Sequence, residues 1–218
     1  MTGRTSSDPV ARRARARLRD ARVYLAVDRA GAAVVPAALA AGVDMVQLRD
    51  KDADDDALRQ SAVPLGELCR AHGALFVLND RPDLALECGA DAVHLGQDDA
   101  PVEDVRAEVG ERLAIGLSTH SRDQIAAAET SSADYYAVGP VHATPTKPDR
   151  PAVGLGLVRH AAAVASKPWF AIGGIDPGNV HEVVAAGARR VVVVRAIRDA
   201  GDPATAARAL RAALEGDP

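Results

Sequence analysis

Two acidic residues, Asp80 and Asp99, each stand a few residues beyond a short apolar run, and the two runs are consecutive in the chain. Paired carboxylates so placed can hold one hard cation and leave its other positions to waters and phosphate oxygens, the usual manner of Mg²⁺. Arg49 and Lys51 would stand beside that pair as cationic donors to a polyphosphate. Gln47 and Asn79 add amides able to read the donor and acceptor pattern of a heterocycle. A second group suits a smaller anion: hydroxyls from Thr144 and Thr146, and backbone N–H groups of a tight Gly173-Gly174 turn. Taken singly, each of these residues is what solvated loops carry. Their recurrence at the ends of successive apolar runs gives them weight. No Ser–His–Asp order and no activated Cys is evident, so the acidic pair is better placed on metal than in acid–base work. The combination points to group transfer with diphosphate leaving.

The elements that must position these groups are short. Apolar, β-branched runs fall at 23–27, 45–48, 75–78, 92–95, 114–117, 135–138, 169–172 and 191–194, as buried parallel strands do. Helical spacing fills the intervals, as at 54–72 and 177–186, and strand starts lie about 17–34 residues apart, the size of a βα unit. Ala41-Gly42-Val43-Asp44, Cys88-Gly89-Ala90-Asp91 and Ala186-Gly187-Ala188-Arg189 form a weak repeat before the second, fourth and eighth runs, with Gly73 before the third. Glycine there reads as the left-handed residue that ends a helix. Eight such units predict a single (β/α)₈ TIM barrel over residues 21–218, with a short Arg-rich extension over 1–20. A doubly wound open sheet would want G-x-G-x-x-G after its first strand, and Asp28-Arg29-Ala30-Gly31 does not supply it.

Composition narrows the function. The chain has 218 residues, 26 basic and 30 acidic, a net charge of −4, which argues against a nucleic-acid surface. Aromatics make up only 3%, so the core is expected from Ala, Val, Leu and Ile. Two cysteines, Cys69 and Cys88, make no disulfide framework or zinc spacing and read as small buried hydrophobes within helices. No apolar run is long enough to span a membrane, and the Arg-rich start lacks the apolar stretch of a secretory signal. Asp8-Pro9 reads as the cap and first turn of a helix carrying those arginines. A cytoplasmic enzyme acting on small molecules is the expectation, with no nucleic-acid or membrane partner. A homo-oligomer is compatible with the sequence, and the arginines could cover the barrel bottom or meet a partner.

The strings 47–51, Asn79-Asp80, 94–99, 116–120, 139–147 and 172–175, in this order at successive strand ends, resemble the thiamine-phosphate synthase family from about residue 23 to 197. The resemblance implies condensation of hydroxymethylpyrimidine diphosphate with a thiazole phosphate carboxylate, giving thiamine phosphate, diphosphate and CO₂. It implies that Gln47, Leu48, Arg49, Asp50, Lys51 and Asn79 hold the pyrimidine diphosphate, with Ser118 and Lys147 also touching it. Arg49, Lys51, Ser118 and Lys147 would serve the chemical step, and Asp80 and Asp99 would bind Mg²⁺. Thr144, Pro145, Thr146, Gly174, Val194 and Arg195 would face the thiazole phosphate. Diphosphate is implied to leave first, which requires cations on the leaving group and a pocket without competing water.

Two positions depart from the pattern. Arg195 stands where a small hydroxyl residue is expected; it could bind phosphate or turn outward and leave backbone amides to do so. His142 stands where an aromatic is expected. His94 and His120 lie at strand ends, where orienting, packing and catalytic roles stay open; His72, His160 and His181 read as helix-surface residues. A thiazole tautomerase, a related barrel, would not need Arg49, Lys51, Asp80 and Asp99 together. A non-catalytic phosphate-binding barrel would leave the paired aspartates without a task.

Overall fold

Apolar runs that alternate with amphipathic helices need both faces of their parallel sheet covered, either by helices on each side of an open sheet or by helices around a closed barrel. The computed structural model, which describes residues 9–144 and 151–216, has the second arrangement. Strands β1 (Val23–Val27), β2 (Met45–Leu48), β3 (Leu75–Asn79), β4 (Ala92–Leu95), β5 (Ala114–Thr119), β6 (Tyr135–Val138), β7 (Trp169–Ile172) and β8 (Val191–Val193) form a closed barrel. All neighbours are parallel, and β1 closes on β8 with Val23 opposite Val191 and Leu25 opposite Val193. The helices are α1 (Pro9–Asp20), α2 (Val35–Ala40), α3 (Asp55–Ala71), α4 (Pro82–Glu87), α5 (Val102–Val109), α6 (Arg122–Thr130), α7 (Gly154–Val164), α8 (Val180–Ala185), α9 (Arg195–Arg198) and α10 (Pro203–Glu215).

The glycine–aspartate repeat does two jobs. Gly42, Gly89 and Gly187 have φ of +93°, +66° and +104°, so they end their helices as the pattern requires. The aspartates then clamp the preceding strand. Asp44 Oδ2 accepts from Val23 N at 3.0 Å and Asp91 Oδ2 from Phe76 N at 2.8 Å. Asp134 does the same for Ile115 N at 2.8 Å. These contacts fix the lower edge of the barrel, and with it the register that delivers residues to the upper rim.

Period-two alternation divides the apolar residues into two layers. Outward residues such as Val46, Leu48, Val93 and Val193 pack aliphatic side chains against the helices. The expected aliphatic core is found, with one exception inside: Tyr24, Tyr135 and Phe170 fill the middle of the barrel, wholly buried and edge-on to one another. Ala92, Ala114 and Gly116 on the facing strands leave them the room. Gly116 is forced, because a Cβ there would sit 2.2 Å from Tyr135 Cζ and 2.6 Å from His94 Nδ1.

Helix α1 closes the bottom, where the sequence left its place open. Ala14 and Leu18 join the inner cluster, and Arg15 Nε donates to Asp134 Oδ1 at 2.7 Å. Asp8, expected as its cap, lies outside the described residues. The helix expected at 177–186 starts only at Val180, because Asp176 Oδ1 holds Gly178 N at 2.8 Å in a side-chain-closed turn. Cys69 is buried in α3, and burial pushes its thiol up to about 12. Cys88, expected inside a helix, instead follows α4 and is half-buried.

Candidate active site

The polar rim lies at the C-terminal ends of the strands around a cavity of about 370 Å³, a volume suited to small-molecule substrates. β2 delivers Gln47, Arg49 and Lys51 to it by alternation. Gln47 is buried and its amide donates to the Tyr24 hydroxyl. The Arg49 side chain has no ion-pair partner among the described residues and faces the cavity. The same alternation turns Leu48 and Asp50 away. Leu48 is buried against the helix layer, and Asp50 accepts from Arg29 Nε at 2.7 Å, so neither side chain lines the cavity as expected.

β3 runs one residue further than expected, holding Asn79 in register with His94. Asp80 then turns the chain with φ +62°, a left-handed conformation uncommon outside glycine, and its N–H donates to His94 O at 2.9 Å. That turn brings the Asp80 carboxylate against Asp99 and to 3.0 Å from Lys51 Nζ. Asp99 is aimed by Gly96 N, which donates to its Oδ2 at 2.6 Å. Burial, then the neighbouring Asp99, pushes the Asp80 carboxyl above the usual range despite Lys51. Burial pushes Asp99 the same way, yet hydrogen bonds from Asp80 and Gly96 N hold it below that range. Two carboxylates in contact need positive charge between them, which a divalent cation can supply. They therefore fit a Mg²⁺ ion completed by water and substrate oxygens. Among the described residues no group of three or more His, Cys, Asp or Glu could hold a metal, so of these residues Asp80 and Asp99 are the pair offered here.

On the next strand, Ser118 also lies within the ladder, opposite Ala137, and its Oγ is 3.0 Å from His94 Nε2. Gln97 Nε2 donates to the Ser118 carbonyl at 2.6 Å. His120 is tied through Nδ1 to the carbonyl of Gly139. Sequence reading missed Tyr24: it assigned no site residue to β1, but the inward positions of that strand place Tyr24 and Ala26 on the cavity floor. Counting alternate positions back from the polar end of the strand would have found both.

The opposite arc carries Thr144, Gly173, Gly174, Val194 and Arg195. Gly173 and Gly174 have φ of +105° and +64°. Their carbonyls are held by His142 N at 3.0 Å and Asn179 Nδ2 at 2.7 Å. Their N–H groups have no protein acceptor among the described residues. Val194 and Arg195 open α9, the short helix after β8; the Arg195 side chain is exposed at the cavity edge and has no ion pair among the described residues. Pro145, Thr146 and Lys147 lie outside the described residues.

A closed parallel barrel with its charged and polar groups gathered at the C-terminal rim defines a (β/α)₈ barrel enzyme. A family model described as Thiamine monophosphate synthase matches residues 23–197, and the chain belongs to that family. It is 53% identical to the thiamine-phosphate synthase of Acidothermus cellulolyticus over 207 residues, covering 92% of this chain and 98% of that protein. It is 50% identical to the thiamine-phosphate synthase of Mycolicibacterium smegmatis over 213 residues, 91% of this chain and 94% of that one. Among solved structures, thiamine phosphate pyrophosphorylase from Pyrococcus furiosus superposes with a TM-score of 0.83 at 33% identity, covering 92% of this chain and 97% of the other. The chain is thus a transferase of thiamine biosynthesis that acts on small molecules.

Proposed function

We propose that the chain couples hydroxymethylpyrimidine diphosphate to a thiazole phosphate carboxylate in a Mg²⁺-dependent reaction, releasing diphosphate and CO₂. The observation that carries this reading is the division of one rim into two anion-binding arcs across one cavity. Asp80, Asp99, Lys51 and Arg49 form the first, and the N–H groups of Gly173 and Gly174, which have no acceptor among the described residues, form the second with Arg195.

In this reading Asp80 and Asp99 hold Mg²⁺, which when bound neutralises charge on the departing diphosphate. Arg49 and Lys51 bind its outer oxygens, and Gln47 and Asn79 orient the pyrimidine by their amides. Ser118 donates to the diphosphate oxygen as the C–O bond lengthens and negative charge gathers there. Thr144, Gly174 and Arg195 hold the thiazole phosphate on the far side, so its ring nitrogen faces the methylene carbon that diphosphate leaves. The buried aromatic floor excludes water from that carbon.

The test is direct. Purified protein given both substrates and Mg²⁺ should release diphosphate and thiamine phosphate in equal amounts. Release of diphosphate without thiamine phosphate, or neither product, overturns the reading.

A further inference from the structure

A continuous chain of hydrogen bonds runs from one side of the cavity floor, through the barrel interior, to the other. Gln47 Nε2 donates to Tyr24 OH, which lies 3.3 Å from Tyr135 OH. Tyr135 OH lies 3.2 Å from His94 Nδ1, and His94 Nε2 lies 3.0 Å from Ser118 Oγ. Both tyrosines are fully buried, and burial pushes both hydroxyls well above their usual range, so each keeps its one hydrogen.

That count fixes the direction of the chain. An amide nitrogen only donates, so the Tyr24 oxygen accepts and its hydrogen points to Tyr135. The Tyr135 hydrogen then points to His94 Nδ1, which must be bare. A neutral imidazole with a bare Nδ1 carries its hydrogen on Nε2, which donates to Ser118 Oγ. The Ser118 hydrogen is left for the cavity.

We propose that Tyr24, Tyr135 and His94 are positioning residues that lock His94 as the Nε2–H tautomer and so make Ser118 an obligate donor to the leaving group. The leaving-group part rests on the synthase reading; the tautomer does not. Reversal of the chain would turn the Ser118 hydrogen onto His94 and present the cavity with lone pairs, which repel a departing diphosphate. Gly116 keeps the junction open, since a Cβ there would strike both Tyr135 and His94.

The experiment combines ¹⁵N-histidine spectroscopy with a double-mutant cycle. In the wild type, the resonance assigned to His94 by its loss in His94→Gln should show a pyridine-like Nδ1 and a pyrrole-like Nε2; the reverse overturns the proposal. Tyr135→Phe removes one oxygen, should mix the tautomers, and should lower kcat about tenfold or more while KM for each substrate stays within about twofold. In a Ser118→Ala background the same change should leave kcat unaltered, because the relay then has nothing to orient. An equal loss in both backgrounds, or no loss in the first, overturns it. If Tyr135→Phe does not fold, the wild-type tautomer decides. Absence of synthase turnover in the wild type would sink the functional reading instead, and the tautomer would judge the relay alone.

Discussion

Lys51 Nζ sits 3.0 Å from Asp80 Oδ2, with the lysine side chain 53% exposed and the aspartate 20%. The acid is fixed by its turn, while the lysine reaches it from solvent and can swing away. In the substrate-free protein the ammonium therefore occupies part of the place that a divalent cation would take. Lys51→Ala should tighten Mg²⁺ binding to the free protein by a few-fold and yet slow turnover by roughly 10–1000-fold, because a donor to diphosphate is lost. Calorimetry with Mg²⁺ alone and steady-state rates test the two halves; weaker metal binding in the variant would refute the competition.

Turnover should vanish on exhaustive chelation and return with Mg²⁺, because a diphosphate and two carboxylates cannot share one small site unneutralised. Full activity in protein shown to retain no metal would remove Asp80 and Asp99 from that role.

Asp99→Asn keeps the side-chain volume and removes one negative ligand, so the barrel should fold normally. Pyrimidine diphosphate should lose affinity or bind unproductively, since its charge is no longer matched to a fixed cation. Thiazole phosphate, which the proposed reading places across the mouth at Gly174 and its neighbours, should bind almost as before. Equal losses for both ligands in calorimetry would mean one shared phosphate site, and the two-substrate assignment would fall.

Ser118→Ala should lower kcat by roughly 10–1000-fold with little change in KM, as expected for a donor whose bond strengthens in the transition state. A variant altered in KM alone would make Ser118 a ground-state contact.

Glu129 joins the end of α6 to the start of β7. Burial alone would raise its carboxyl, but hydrogen bonds from the Ser166 and Tyr136 hydroxyls and from the Ser166 and Lys167 N–H groups hold it below the usual range. A depressed folded-state value adds stability above the unfolded value of about 4.3, and that stability is lost as pH falls through the folded value. Glu129→Gln should therefore cost about 1 kcal/mol near neutrality, a figure reduced for partial exposure. The gap to the wild type should close below about pH 4. Denaturation at several pH values measures it, and a gap that widens in acid would be the wrong sign.

The barrel was legible because its signals are local. Short apolar runs, helix-ending glycines and the spacing of a βα unit each depend on a few neighbouring residues, and eight such units without a G-x-G-x-x-G turn after the first point to a barrel rather than an open sheet. The rim was legible for the same reason, since Asp80, Asp99, Ser118 and Gly174 each stand at or just past the end of a readable run. Alternation was legible too, and applied strictly it would have set Leu48 and Asp50 apart from Gln47, Arg49 and Lys51.

What crosses the barrel was not legible. The contact of Tyr24 with Tyr135 spans 111 positions and that of His94 with Ser118 spans 24. Closure makes each pair neighbours, and nothing in either local string announces the other. Likewise the arginines of the first helix read as an unassigned basic stretch until Asp134 met Arg15 at the barrel bottom. Sequence alone thus determined the order of strands and helices and the glycines that end several helices, while ends such as Asn79 of β3 and Val180 of α8 were set by contacts in the fold. Which inward side chains meet, and in which direction their hydrogen bonds run, depended on the closed barrel, because only closure brings distant strands face to face around one axis.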